Sequence, residues 1–128
     1  MTPEQKLKHI VLLKQASFGE FKLPEIINAD NVDEIYAEED EDCDLQDARS
    51  ETRGGEVETN IPAPTSRHYE SKSVAAQYVD GSWVGWTYWY GGGKHGEPEG
   101  IGWMGGACNL DCTEEEVTVT KRTFTIPS

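Results

Sequence analysis

Positive charge is scarce in this 128-residue chain: 11 Lys and Arg stand against 24 Asp and Glu, for a formal net charge of −13. That shortage argues against direct contact with DNA, RNA or an anionic membrane, because each phosphate neutralised requires a Lys or Arg. Long apolar runs are missing too. No stretch reaches the roughly 18 apolar residues of a bilayer-crossing helix, and the run at 10–13 is too short for the core of a signal peptide. The expectation is a cytoplasmic protein without membrane contact. Cysteine is sparse and odd in number, at three, with Cys108 and Cys112 four apart and no second pair. Structural zinc wants four ligands at regular spacing, so free thiols, no metal and no cofactor are expected. Apolar residues make up 36% of the chain, under the usual ~45–50%. The length fits one domain with a modest core and some solvated loop or arm.

Catalytic signatures are also lacking. The sequence holds no nucleophile elbow, HExxH, paired CxxC or dinucleotide fingerprint. Residues 91–96, Gly-Gly-Gly-Lys-His-Gly, match a phosphate loop only superficially, since Lys94 is followed by His95 where Ser or Thr is required. His68, His95, Glu97 and Glu99 form the one candidate acid–base set, with nothing in the sequence to fix their geometry. An EF-hand frame from Asp40 places Leu45 where the turn glycine belongs, which rejects a calcium loop. A binding protein is expected rather than an enzyme.

Two features are present in excess. Residues 83–93 hold three of the four tryptophans and two of the five tyrosines, a density that marks a core or a contact surface. Residues 25–58 carry 14 acids and 2 bases, so nearly all of the net charge is concentrated there. Its densest part is Glu38, Glu39, Asp40, Glu41, Asp42 and Asp44. Such a run ordinarily repels itself and stays solvated. Carboxylates at helical spacing can also occupy an Arg/Lys groove built for phosphates.

Local patterns predict an α+β fold. Thr2, Pro3 and Gln5 make a capping box with proline in the first turn. Leu7, Ile10, Val11, Lys14 and Phe18 follow on one helical face, Leu12 and Leu13 widen it, and Gly19 is a natural stop. The basic side of this helix suits docking near the acidic stretch. A shorter helix is expected from Asp30, with Val32, Ile35 and Tyr36 on one side, then a polar connector over 49–64. Residues 1–59 thus read as a helical and acidic arm, and 60–128 as an aromatic β-β-α-β segment of the same compact domain.

In that segment, strands at 68–79 and 82–90 flank Asp80-Gly81, the signal of a two-residue type I′ turn. This register pairs Tyr78 with Trp83, Ala76 with Gly85 and Ala75 with Trp86. One face would carry Ala75, Val79, Val84, Trp86, Tyr88 and Tyr90, and the other Val74, Ala76, Tyr78, Trp83, Thr87 and Trp89; a slip of one residue exchanges the faces. A short helix over 97–108 and a strand over 117–126 complete an antiparallel three-stranded sheet, the first hairpin strand central and one face covered by helices.

The functional expectation is a small acidic interaction protein. In its sharpest form it inhibits a nucleic-acid-handling host protein in the manner of phage or mobile-element anti-defence factors. Glu38, Glu39, Asp40, Glu41, Asp42 and Asp44 would engage a basic surface, and Trp83, Trp86 and Trp89 would build a rigid platform. The alternative is a small-ligand or sugar-binding module using Tyr88, Tyr90, Lys94 and His95. Two aromatic sheet faces also leave room for a homodimer.

Overall fold

The computed structural model describes residues 1–19, 22–41, 45–67, 69–91, 102–114 and 122–127. It is an α+β fold of three helices, α1 (Pro3–Ser17), α2 (Val32–Glu39) and α3 (Gln46–Arg53), and an antiparallel sheet in the order β1 (Val57–Glu58), β2 (Glu70–Gln77), β3 (Trp83–Tyr90), β4 (Cys108–Leu110).

Helix α1 forms as its sequence dictates. Thr2 accepts a hydrogen bond from the Gln5 backbone and the Gln5 side chain accepts one from the Thr2 backbone, closing the capping box. At the other end Gly19, at φ +81°, donates back to the Ala16 carbonyl. The helix lies between two small cores. On one side Leu7 packs with Val74, Ala76, Val84, Trp86 and Trp103 of the sheet layer. On the other, Val11 and Leu12 pack with Val32, Leu45 and Ala48. Full burial of such side chains is worth about 1.5–3 kcal/mol each. Phe18 and Leu13, expected to extend the apolar stripe, are exposed at the surface.

Helix α2 starts close to the expected position. Helix α3 takes the start of the expected connector, residues 49–53. Leu45, Ala48 and Thr52 recur at i, i+3 and i+7 and are all buried, which is enough to seat an otherwise polar helix.

The β2–β3 hairpin differs from expectation by one residue. Tyr78 donates to the Ser82 carbonyl, and Gly81, at φ +90°, donates to Tyr78. The loop is therefore Val79-Asp80-Gly81, a three-residue turn with a left-handed glycine, rather than a type I′ pair. Asp80 favours this form because its carboxylate accepts from both the backbone and the hydroxyl of Ser82, at 2.9 and 2.5 Å. Gln77 now faces Trp83, Ala75 faces Gly85 and Val74 faces Trp86. Val74, Ala76, Val84, Trp86, Tyr88 and Tyr90 share the helix side; Ala75, Trp83, Thr87 and Trp89 share the open side.

Among the described residues the sheet has four strands instead of three. β1, which precedes the boundary expected at residue 60, pairs with the outer side of β2, and β4 pairs with β3. Cys108 lies in β4 and the only helical turn described between 102 and 108 is the 3-10 turn Met104–Gly106, so the expected helix over 97–108 is not found there; residues 97–101 lie outside the described residues. Residues 122–126 take no regular structure, which removes the end of the expected third strand, and 117–121 lie outside the described residues.

Candidate interaction surface

The helical layer carries the acidic surface. Asp33 and Glu34 in the first turn of α2 suit the positive end of the helix dipole, but Glu38 and Glu39 in the last turn oppose its negative end, with no basic residue there. Glu34 and Glu38 are both exposed and one turn apart, about 6 Å along the axis. Glu41 beyond the helix is exposed as well, and Asp47 and Glu51 repeat the one-turn spacing on the outer side of α3.

Asp33 and Asp40 are engaged within the fold. Lys8 reaches Asp33 at 2.8 Å, and Gln5 donates to the same carboxylate at 3.0 Å. The hydrogen bonds from Lys8 and then Gln5 hold the Asp33 carboxyl below its ordinary range. Arg49 of α3 meets Asp40 at 2.6 Å and donates to the Tyr36 hydroxyl at 3.2 Å. Asp40 is thus a tie between α2 and α3, which separates it from the outward carboxylates Glu38 and Glu41. Glu39 is half-buried. Asp42 and Asp44 lie outside the described residues.

The three tryptophans do not form one surface. Trp86 is 3% exposed, its indole N–H donates to the Arg53 carbonyl at 2.8 Å, and its ring packs on Trp103 with centroids 5.6 Å apart. It builds the core beneath a surface and is not available to a partner. Trp83 and Trp89 are half-buried on the open side, six residues apart along β3, about 20 Å at strand rise. Trp83 sits in a groove of ≈ 330 Å³ with Val57, Ile61, Ala75, Leu110 and Cys112.

Tyr88 and Tyr90 stack on the helix side, with centroids 5.3 Å apart. The Arg53 guanidinium lies 4.9 Å from the Tyr88 centroid, and Lys72 Nζ lies 5.6 and 5.8 Å from the two rings. This aromatic and cationic patch was only half visible in the sequence, because Arg53 and Lys72 come from other elements. Lys94 and His95, assigned to the same alternative site, lie outside the described residues, as do His68, Glu97 and Glu99.

Among the described residues no group of three or more His, Cys, Asp or Glu side chains is placed to hold a metal ion, and no helix is long and apolar enough to cross a membrane. Cys108 and Cys112 are free and exposed. The remaining buried titratable pair, His9 and Tyr78, is joined by a 2.6 Å hydrogen bond between Nδ1 and the hydroxyl. Burial lowers the His9 pKa and raises that of Tyr78, with Asp80 adding to the latter. This pair sits between α1 and the end of β2 and ties the helix to the sheet layer. No family model matches the chain, and neither a curated protein nor a solved structure does.

Proposed function

We propose that the chain is a small interaction protein whose acidic helical face engages a basic surface on a nucleic-acid-handling protein, inhibiting it by occupying sites meant for phosphates. The observation that carries this reading is the row of outward carboxylates Glu34, Glu38 and Glu41, joined by Asp47 and Glu51 on α3. At Glu38 the charge does not serve the helix that bears it, since Glu38 and Glu39 oppose the α2 dipole, whereas Glu34 and Asp47 sit in first turns that favour acids. Carboxylates fixed one helical turn apart present an ordered array of negative charge to an Arg- or Lys-lined groove. The net charge of −13 adds long-range attraction for such a partner. A phage or mobile-element anti-defence role is the biological setting in which this mode of inhibition fits a small acidic chain.

The test is charge reversal on a surface that does not hold the fold together. With a partner captured from host lysate, Glu34→Lys, Glu38→Lys and Glu41→Lys together should slow association at least tenfold and flatten its dependence on salt. Unchanged association kinetics would remove the proposal.

A second reading keeps one specific observation: the stacked Tyr88 and Tyr90 with Arg53 and Lys72 over their faces. Such a patch suits an anionic small ligand or a sugar acid. Titration of the protein with a ligand panel, read by aromatic fluorescence, separates this reading from the first, which predicts no response.

A further inference from the structure

The open side of the sheet presents an apolar groove, and the C-terminal segment presents two apolar side chains with nowhere to go. Val57 and Ile61 are 48% and 45% exposed at the groove, which continues over Ala75, Trp83 and Leu110. Leu110, which lines the groove, lies across Gly85 so closely that a Cβ there would fall 2.4 Å from the leucine Cδ1. Phe124 and Ile126 are 86% and 95% exposed. In an extended segment, Arg122, Phe124 and Ile126 fall on one side, the period-two pattern of a strand that buries one face. Exposed large apolar side chains in such a row mark a contact surface.

We propose that the C-terminal segment 122–127 of one chain seats Phe124 and Ile126 in the Trp83 groove of a second copy, in a reciprocal, two-fold symmetric exchange. The choice of a second copy rests on exposure and charge: among the described residues, both the groove and the segment stand open. A closed two-fold exchange satisfies both at once with the same contacts made twice. Charge agrees. Glu58 and Asp111 border the groove, and Arg122 precedes Phe124 on the side that would enter it. The groove volume of ≈ 330 Å³ is within the range that accepts a compact apolar group. Two short segments bury less than the ~1,200–2,000 Å² of a stable specific interface, so the dimer is concentration-dependent. It uses none of the carboxylates of the acidic face, and its failure would leave the proposed function untouched.

Sedimentation of the full chain from about 5 to 500 µM tests it. Wild type should shift from monomer to dimer across that span, and Phe124→Ser with Ile126→Ser should shift the midpoint upward at least tenfold while the thermal midpoint of the monomer stays put, because both side chains are exposed. A thiol trap fixes the contact. In a chain carrying Phe124→Cys, Cys43→Ser and Cys108→Ser, mild oxidation at high concentration should give a covalent dimer. Peptide mass spectrometry should show Cys112 joined to the thiol introduced at position 124, and Cys112→Ser should abolish that species. A chain that stays monomeric throughout, a trap that closes within one chain, or serine variants that dimerise like wild type would each overturn the proposal.

Discussion

At the scale of single residues, two positions carry consequences that composition conceals. His9 is buried with its Nδ1 bonded to Tyr78, and burial lowers its pKa. The unfolded chain, with an ordinary histidine near pH 6.5, therefore binds a proton that the folded chain refuses between the lowered pKa and that value. The His9 contribution to stability is complete only above about pH 6.5 and declines as pH falls through that value. Urea titrations from pH 8 to 5.5 should show that decline, and His9→Gln should remove the part due to this residue. Gly55 is the second position. Its φ is +73°, and a Cβ there would lie 2.7 Å from Val74 Cβ and 2.9 Å from Val74 Cγ2. Both the left-handed backbone and the clash oppose a side chain, so Gly55→Ala should cost about 1–3 kcal/mol in chemical denaturation. Gly54, with open space around it, is the control that should tolerate alanine.

At the scale of elements, α2 sets stability against the proposed function. Glu38 and Glu39 lie in the last turn at the negative end of the dipole, which has no basic residue of its own and only Arg49 of α3 nearby, on Asp40. Glu38→Gln with Glu39→Gln should raise stability by about 0.3–1 kcal/mol and, under the proposed function, slow partner association. A variant that gains stability without losing association would show that the acids have no part in binding. The elements also show what the sequence exposes to reading. Helix α1 was legible because its cap, its stripe and its stop are all local. α3 was passed over because only Leu45, Ala48 and Thr52 mark its buried side, among charged neighbours that resemble a loop. The hairpin was legible as a hairpin but not in its register. Asp80-Gly81 serves equally as a two-residue turn or as the end of a three-residue one, and the Asp80–Ser82 bonds that decide the matter are of side chains. Because register decides faces, that single residue moved Val74, Ala76 and Tyr78 to the helix side and left Ala75 opposite. β1, two residues long, carries no pattern at all; it exists because Gly55 lets the chain press against β2.

The same limits governed the site. The density of acids in residues 25–58 was plain, but which acids face outward was not, since Asp33 and Asp40 are tied by Lys8 and Arg49 through contacts distant in sequence. The aromatic cluster was equally plain and equally divided, Trp86 going into the core and Trp83 and Trp89 to the open side.

At the scale of the whole molecule, Arg53 joins the two layers. Its carbonyl receives the Trp86 indole, its guanidinium donates to the Trp89 carbonyl at 2.6 Å, and it lies over the Tyr88 ring. The layers are therefore expected to unfold together: tryptophan fluorescence and far-ultraviolet circular dichroism should give coincident denaturation curves. Arg53→Ala should destabilise the protein by about 1–3 kcal/mol, and separation of the two curves in that variant would show that the joint is what couples them.

Under the proposed function, that joint bears on how the acidic face would meet a partner. A charged segment that is floppy when free must be ordered at the moment of binding, and the ordering subtracts from affinity. The carboxylates on α3 instead stand on a helix fastened at its end to the longest strand pair of the sheet, and Arg49 extends the fastening to α2. The spacing between their charges is set before any encounter. Under the proposed function the array is a template of fixed pitch, one expected to favour partners whose cations repeat at that pitch and to penalise those whose cations do not.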